Sequence, residues 1–338
     1  MHSANLSRRG FLCATGAAAL LATGTSAFAQ STDFSFIAPF SFSLAFGDVL
    51  YADAMGFYRD EGLNFKAEAG KGASFAAQMV IAKQMSAGRT GGTNFIQSRV
   101  DNGAPLLSIA TIAQLSPFYI ISSKENPVRS MEDLEGRTVG MASLGGSMEG
   151  TLDLLMRSGG HSPETVKRVK VADTGASYAL IQAGRAGAFI GNTSSMITAL
   201  AATGDAVAIP MDDGMPGQVY VAHDEDVAAN PDKFVAFLRA THRAALTIAQ
   251  TPKEELDPII DRIATRFDVL GTADRGAARE DLYANAQNWI AKGSENVLRN
   301  VPEVWANAVS MLGEAGMIKK PVDPTSLYTN ALLDRALA

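Results

Sequence analysis

The chain has 338 residues, 47% hydrophobic and 19% charged, the balance of an ordinary globular protein with room for one large domain or two medium ones. Its formal net charge of −6 excludes a nucleic-acid binder, which needs clustered Lys and Arg to neutralise phosphates. The single cysteine, Cys13, lies in a segment expected to be removed, which excludes disulfides, thiolate catalysis and cysteine-held metals from the mature chain.

Residues 1–29 read as a signal peptide. Arg8 and Arg9 precede a weakly apolar run, Phe11 to Ala22, and Ala27-Phe28-Ala29 supplies a cleavage site before Gln30. The arginine pair is the twin-arginine pattern of bacterial export, and the run is too short to span a bilayer. After Gln30 no apolar run has membrane-spanning length, so the expectation is an exported periplasmic monomer without membrane insertion.

From Asp33 to about Pro216, β-type runs alternate with helical patterns. Strands are expected at Phe34 to Phe40, Leu63 to Ala69, Leu106 to Ala113, Pro117 to Ser123, Arg137 to Ala142, Val166 to Ala172, Ala186 to Gly191, Ala206 to Pro210 and Gln218 to His223. Helical periodicity separates the first pairs, over Val49 to Gly62 and Phe75 to Gly88. Such alternation predicts βα units around mostly parallel sheets. Beyond His223 the period becomes helical throughout: Pro231 to Ala249, Lys253 to Phe267, Arg275 to Ile290 and Pro302 to Ala315, with Trp289 and Trp305 as core packing.

An internal echo runs through the α/β part. Gly72-Ala73-Ser74-Phe75-Ala76 matches Gly175-Ala176-Ser177-Tyr178-Ala179, each opening a helix after a strand. The helices are expected to end at Ala87-Gly88-Arg89 and Ala183-Gly184-Arg185, with small-residue strands then reaching Asn94 and Asn192. Two lobes of related architecture follow, and a cleft between them.

Ligands of open α/β sheets sit beyond the carboxyl ends of the strands. The turns there, residues 40–46, 70–74, 94–97, 113–116, 143–147, 173–178 and 192–195, are rich in Ser, Gly, Thr, Asn and Phe and poor in His, Lys and Arg. The ligand-binding candidates are Phe42, Ser43, Ser74, Asn94, Gln114, Gly145, Gly146, Ser147, Glu149, Tyr178 and Asn192. Ser74, Ser147 and Ser177 read as helix N-caps whose free N–H groups suit an oxyanion without any cation. Glu149 belongs to the first turn of the Ser147 helix; facing solvent it permits an anion, facing the cleft it demands a cation. Phe42 and Tyr178 are the preferred aromatic walls among Phe40, Phe42, Phe46, Phe75, Phe95, Phe118, Tyr119 and Tyr178.

No catalytic set accompanies these turns. His161, His223 and His242 are scattered, and no zincin helix, nucleophile elbow or phosphate-binding loop occurs; Gly140 to Gly150 has the glycines of the last but no Lys. Neither cofactor nor metal is expected, and Glu149 with Asp173 is the single acid–base pair an enzyme could use.

The chain resembles the periplasmic substrate-binding proteins of bacterial ABC importers, in the group that binds nitrate, taurine, alkanesulfonates and pyrimidine precursors of thiamine. The carriers are Tyr51 to Lys66, Gly103 to Ile112, Met131 to Met141, Leu180 to Ile190 and the tail from Asn230 to Ala240. Family members often show Gly-x-x-Asp where this chain has Gly88-Arg89-Thr90-Gly91 and Gly184-Arg185-Ala186-Gly187. The resemblance implies an α/β, type II periplasmic-binding-protein fold: two α/β lobes, a two-strand hinge and a helical C-terminal tail. Lobe one would be 33–112 plus 224–338, lobe two 124–214, and the hinge 113–123 and 215–223. It also implies a small-molecule ligand and an importer permease as partners; the alternatives are an exported non-hydrolytic enzyme or a sensory module on the same fold.

Overall fold

The computed structural model of the protein describes residues 31–212 and 214–338; the expected signal peptide lies outside the described residues. Among the described residues, ten strands form two five-stranded sheets. The first contains β1 (Thr32–Ala38), β2 (Leu63–Ala69), β3 (Ala87–Gly91), β4 (Leu106–Ala113) and β10 (Gln218–His223) in the order β2-β1-β3-β10-β4. The second contains β5 (Phe118–Ser123), β6 (Thr138–Met141), β7 (Lys167–Lys170), β8 (Ala188–Asn192) and β9 (Ala206–Pro210) in the order β7-β6-β8-β5-β9.

The sheets follow one plan. In each, the first three positions hold parallel strands joined by helical crossovers, the fourth an antiparallel strand, β10 or β5, and the fifth a strand that runs with the first three, β4 or β9. The register repeats as well: Phe36 of β1 faces Ala87 as Val139 of β6 faces Ala188, and Gln218 faces Gly91 as Phe118 faces Asn192. The chain crosses between the sheets after Ala113 and again before Gln218.

The strand between residues 87 and 91 departs from expectation. The helix there ends at Ile81 and Ala87-Gly88-Arg89 belongs to β3, whereas Ala183-Gly184-Arg185 forms the turn before β8, so the shared triplet is not structurally equivalent. Two contacts fix the earlier helix end. Ser35 N–H donates to Ser86 Oγ (3.2 Å) and Ser86 N–H to Ser35 Oγ (3.1 Å), tying the approach to β3 onto β1. A Cβ on Gly88 would stand 3.0 Å from both Ile37 and Val80 side chains, so this strand needs small residues to lie beneath the helix.

The C-terminal helices build the first lobe's core. Pro231–Gln250 places Phe234, Phe237, Thr241, Ala244 and Ile248 on one buried stripe with i, i+3 and i+4 spacing. Phe237 stacks on Phe34 (centroids 4.6 Å apart) and joins Tyr58 and Phe65, which stack at 3.9 Å. The helix Arg275–Trp289 instead spans the lobes, packing on the helix Thr193–Ala202 that follows β8. No helix of the described residues is long and apolar enough to cross a membrane.

Candidate functional site

The carboxyl ends of both sheets meet at one cavity. The first lobe lines it with Pro39, Phe40, Ala45, Phe46, Ala73, Arg89 and Gln218, and the second with Pro117, Phe118, Ser147, Met148, Asp173 and Asn192. Its volume is about 20 Å³. Space of that size holds about one water.

The two lobes touch through three hydrogen bonds. Ser74 Oγ donates to the Gly145 carbonyl (2.7 Å), Asn94 Nδ2 donates to the same oxygen (3.2 Å), and Gly91 N–H donates to Ser147 Oγ (2.8 Å). A Cβ on Gly91 would stand 2.4 Å from Ser147 Cβ, so glycine is what permits this approach.

Arg89 is the principal charge of the cavity. It is 2% exposed, on a central strand whose other residues are Ala, Gly and Thr. Nη1 donates to the Ala45 carbonyl (2.7 Å), the guanidinium lies 4.9 Å from the Phe46 ring centroid, and Nε is buried without a partner. Among the described residues no carboxylate lies within ion-pair distance of it. Asp48, also buried, is close enough for its carboxyl to feel the guanidinium: burial raises the carboxyl above the usual range, while Arg89 and the Tyr220 hydroxyl, which donates to Oδ2, pull it back.

Asp173 is the acid of the opposite wall. Its Oδ1 accepts from Ser195 Oγ (2.6 Å) and from Asn192 N–H (3.1 Å), fixing the junction between β8 and the next helix. Its Oδ2 is sequestered without a partner. Desolvation lifts this carboxyl to about 6 against the pull of the two hydrogen bonds.

Ser147 and Asn192 are the expected site residues that line this cavity, while Ser74, Asn94 and Gly145 line another hollow together with Leu144 and Lys319. A Cβ on Gly146 would stand 2.1 Å from Ser143 Oγ, so Gly146 keeps the turn tight. None of the three serines caps a helix. Gly72 and Gly146 hold the cap positions of the Ser74 and Ser147 helices without side-chain bonds, and Ser177 Oγ donates back to the Ala172 carbonyl. The cap is Asn192, whose side chain accepts from Ser195 N–H (2.9 Å).

Four further candidates sit elsewhere. Phe42 packs edge-on to Phe267 in the first lobe's core, and Ser43 lines a separate hollow with Asp173 and Leu270. Gln114, 1% exposed, donates to the carbonyls of Thr111, Asn296 and Arg299 and secures the crossing segment to the tail. Tyr178 is buried in the second lobe with its hydroxyl on Asp205 (2.7 Å). The aromatic walls are Phe40, Phe46 and Phe118 instead.

Glu149 has another employment. Its Oε1 pairs with Arg168 Nη1 (2.6 Å), while Oε2 accepts from the Gly145 N–H. Arg168 also pairs with Asp153 (2.7 Å). The carboxylate therefore ties the glycine turn to its own helix and to β7, and it occupies a backbone donor expected to serve an anion. Arg89 and Gln218 were not expected at the site. A helical reading of residues 75–88 hides Arg89; a lone Arg in a small-residue run just before Gly91-Gly92 is the signal that marks it as a strand-end group. Among the described residues no group of three His, Cys, Asp or Glu side chains is disposed to hold a metal ion.

With this fold and interlobe cavity, the chain is of the periplasmic-binding-protein class. Residues 44–255, more than half of the chain, match the model of the NMT1/THI5-like family, and the chain belongs to that family. A protein from Bordetella bronchiseptica RB50 shares 20% identity at a TM-score of 0.72, over 91% of this chain and 97% of that one. The alkanesulfonate-binding protein SsuA from Xanthomonas axonopodis pv. citri, solved bound to MOPS, is 14% identical with a TM-score of 0.64, over 89% of this chain and 99% of that one. The periplasmic nitrate-binding protein NrtA from Synechocystis PCC 6803 is 13% identical with a TM-score of 0.65, over 91% of this chain and 88% of that one. The desulfurization enzyme DSZB shares the fold at a TM-score of 0.57. No curated protein matches the sequence at a significant level.

Proposed function

We propose that the protein is the exported solute-binding component of an ABC import system, which captures a small organic anion between its lobes and delivers it to a membrane permease. Arg89 carries the reading. A buried guanidinium costs several kcal/mol to desolvate unless it is paired, and this one lines the cavity with Nε unpartnered and no carboxylate at ion-pair distance among the described residues. An anionic group on the solute supplies what the strand leaves out. The sulfonate and nitrate named for two proteins of the same fold are anions of this kind.

Capture requires movement. The present gap admits about one water, so an organic solute enters only if the bonds of Gly145 and Ser147 to the other lobe open and re-form. The expected hinges, 113–123 and 215–223, contain the two crossings where such opening is centred. Export by the twin-arginine route belongs to the same proposal.

Thermal unfolding with a panel of alkanesulfonates, carboxylates, nitrate and neutral pyrimidines tests it. A true solute at one hundred times its Kd stabilises the chain by about 2.7 kcal/mol, and the responders should all be anions. A panel with no responder, or one answered by neutral pyrimidines alone, sinks the reading. A catalytic role rests on Asp173 without Glu149, which is held by Arg168. Recovery of a bound solute in altered form would favour that second reading; its recovery unchanged and stoichiometric counts against it.

A further inference from the structure

We infer that Asp173 is a specificity-determining residue, and that the solute is two-ended: an anionic group held by Arg89 of the first lobe and a protonated nitrogen held by Asp173 of the second. This rests on the proposed capture of an anion at Arg89 and adds the requirement at its other end.

Two orphaned polar atoms carry the inference. Arg89 Nε and Asp173 Oδ2 are both buried, both without a hydrogen-bond partner, and both belong to residues that line the same cavity from opposite lobes. Buried polar groups in folded proteins are nearly always paired, and each exception calls for an explanation. One is a donor and the other an acceptor, so a single molecule bearing both complementary functions satisfies them together. The rest of Asp173 is already employed: Oδ1 takes the Ser195 hydroxyl and the Asn192 N–H, which explains why an acid stands at this turn but not why its second oxygen has no partner among the described residues.

The chemistry at neutral pH agrees. With its carboxyl at about 6, Asp173 is mostly ionised at pH 7, and no basic side chain forms an ion pair with it among the described residues. A simple alkyl anion would leave that carboxylate unpaired and add its own repulsion. A protonated amine removes both penalties. Because the two anchors stand on different lobes, a two-ended solute also bridges them, which couples binding to the contacts of Ser74, Asn94 and Gly91 with the Gly145–Ser147 turn.

The test is calorimetric titration of the full mature chain with isosteric pairs: aminopropanesulfonate against butanesulfonate, and aminobutanoate against pentanoate, with shorter and longer homologues of each. The amino member is expected to bind at least about tenfold more tightly, the ratio that 1.4 kcal/mol supplies. In Asp173→Asn that preference should vanish while the unsubstituted anions keep or gain affinity, since the amide oxygen can still accept from Ser195 and Asn192. The wild-type comparison stands by itself if the variant folds poorly. Equal affinity within each pair, or an amine preference that survives in Asp173→Asn, overturns the inference and leaves anion capture at Arg89 intact. Failure of every member of the series to bind overturns both.

Discussion

In the first lobe, β3 presents Arg89 opposite Tyr220 of β10; in the second, β8 presents Ile190 opposite Ile120 of β5, at the same place in the same register. Around Arg89 stand Asp48, the Tyr220 hydroxyl and the Ala45 carbonyl. Ile190 belongs to a buried apolar cluster with Met141, Met148 and Leu152. One backbone plan therefore serves two purposes. The first lobe spends its central strand on a charge and surrounds it with polar partners. The second keeps an apolar core and offers the cleft only the ends of its elements: Ser147, Asp173 and Asn192. Equivalent backbone does not bring equivalent chemistry, because a buried charge is tolerated only where neighbours have been built for it.

The largest effect comes from forcing the second lobe to imitate the first. Ile190→Arg places a guanidinium among methionines and leucine with no counterpart of Asp48 or Tyr220. It should destabilise the protein by roughly 4–5 kcal/mol or prevent folding. Urea unfolding of the variant measures it, and a loss within about 1 kcal/mol would break the comparison. The converse change, Arg89→Met, removes the charge that offsets the burial of Asp48 and the donor to the Ala45 carbonyl, so it should also destabilise, but by less than Ile190→Arg because Asp48 can take up a proton. It should cost binding as well: at least about 100-fold in anion affinity, or roughly 3 kcal/mol, the loss that follows truncation of a charged partner. Calorimetry on both variants separates a structural arginine from a binding one.

The acids of the two lobes differ in the same way. Asp48 has Arg89 to offset its burial. Asp173 has only neutral donors, and so does Asp281, which reaches from the tail helix to accept from Ser194 Oγ of the second lobe (2.7 Å) and from Asn285 Nδ2 (2.7 Å). Burial lifts Asp281 to about 7, and the charge of Asp173 adds to the rise. Both folded values exceed the ordinary 3.8, so between pH 4 and 7 the folded chain holds more protons than the unfolded one. The stability these groups contribute is complete below the ordinary value and is lost as pH climbs through about 6 and about 7. In unfolding series across that window, wild type should weaken relative to Asp281→Asn by an amount on the order of 1–3 kcal/mol. A constant difference between the two would show that Asp281 titrates as an ordinary carboxylate.

Much of this was legible in the residues and some was not. The strand patterns at Leu63–Ala69, Leu106–Ala113, Ala206–Pro210 and Gln218–His223 read correctly because β-branched and apolar runs bounded by turn residues admit little else. The helical tail announced itself by its period. β3 did not, because Ala-Gly-Arg-Thr-Gly carries neither β-branched bulk nor alternation; what makes it a strand is the space under the helix Ala73–Ile81, a tertiary fact. A helical reading of that stretch hides Arg89 as well. Phe42 and Tyr178 fall outside the cavity lining for a related reason: position after a strand end does not say which face a ring takes, and both turn into cores. Glu149 was placed in the right turn, but its partner Arg168 lies on a strand that sequence distance does not connect to it.

The finest distinction between the lobes lies at Gly91 and Asn192, equivalent strand ends that each open a helix. Asn192 caps its helix through Ser195 N–H, so Asn192→Ala should cost about 1 kcal/mol of stability. Gly91 has an extended backbone that any residue adopts, and its helix has no side-chain cap to lose. Gly91→Ala should therefore change unfolding by no more than about 0.5 kcal/mol. What the new methyl meets is the other lobe: Ser147 Cβ at 2.4 Å, close to the backbone and unable to swing aside. The lobes can no longer approach, the Gly91–Ser147 hydrogen bond is lost, and solute affinity falls while stability holds. Small-angle scattering with and without solute should show the alanine variant keeping an open form that the wild type abandons. If Gly91→Ala instead unfolds early and binds normally, the glycine belongs to the first lobe's own fold and not to the approach of the two lobes.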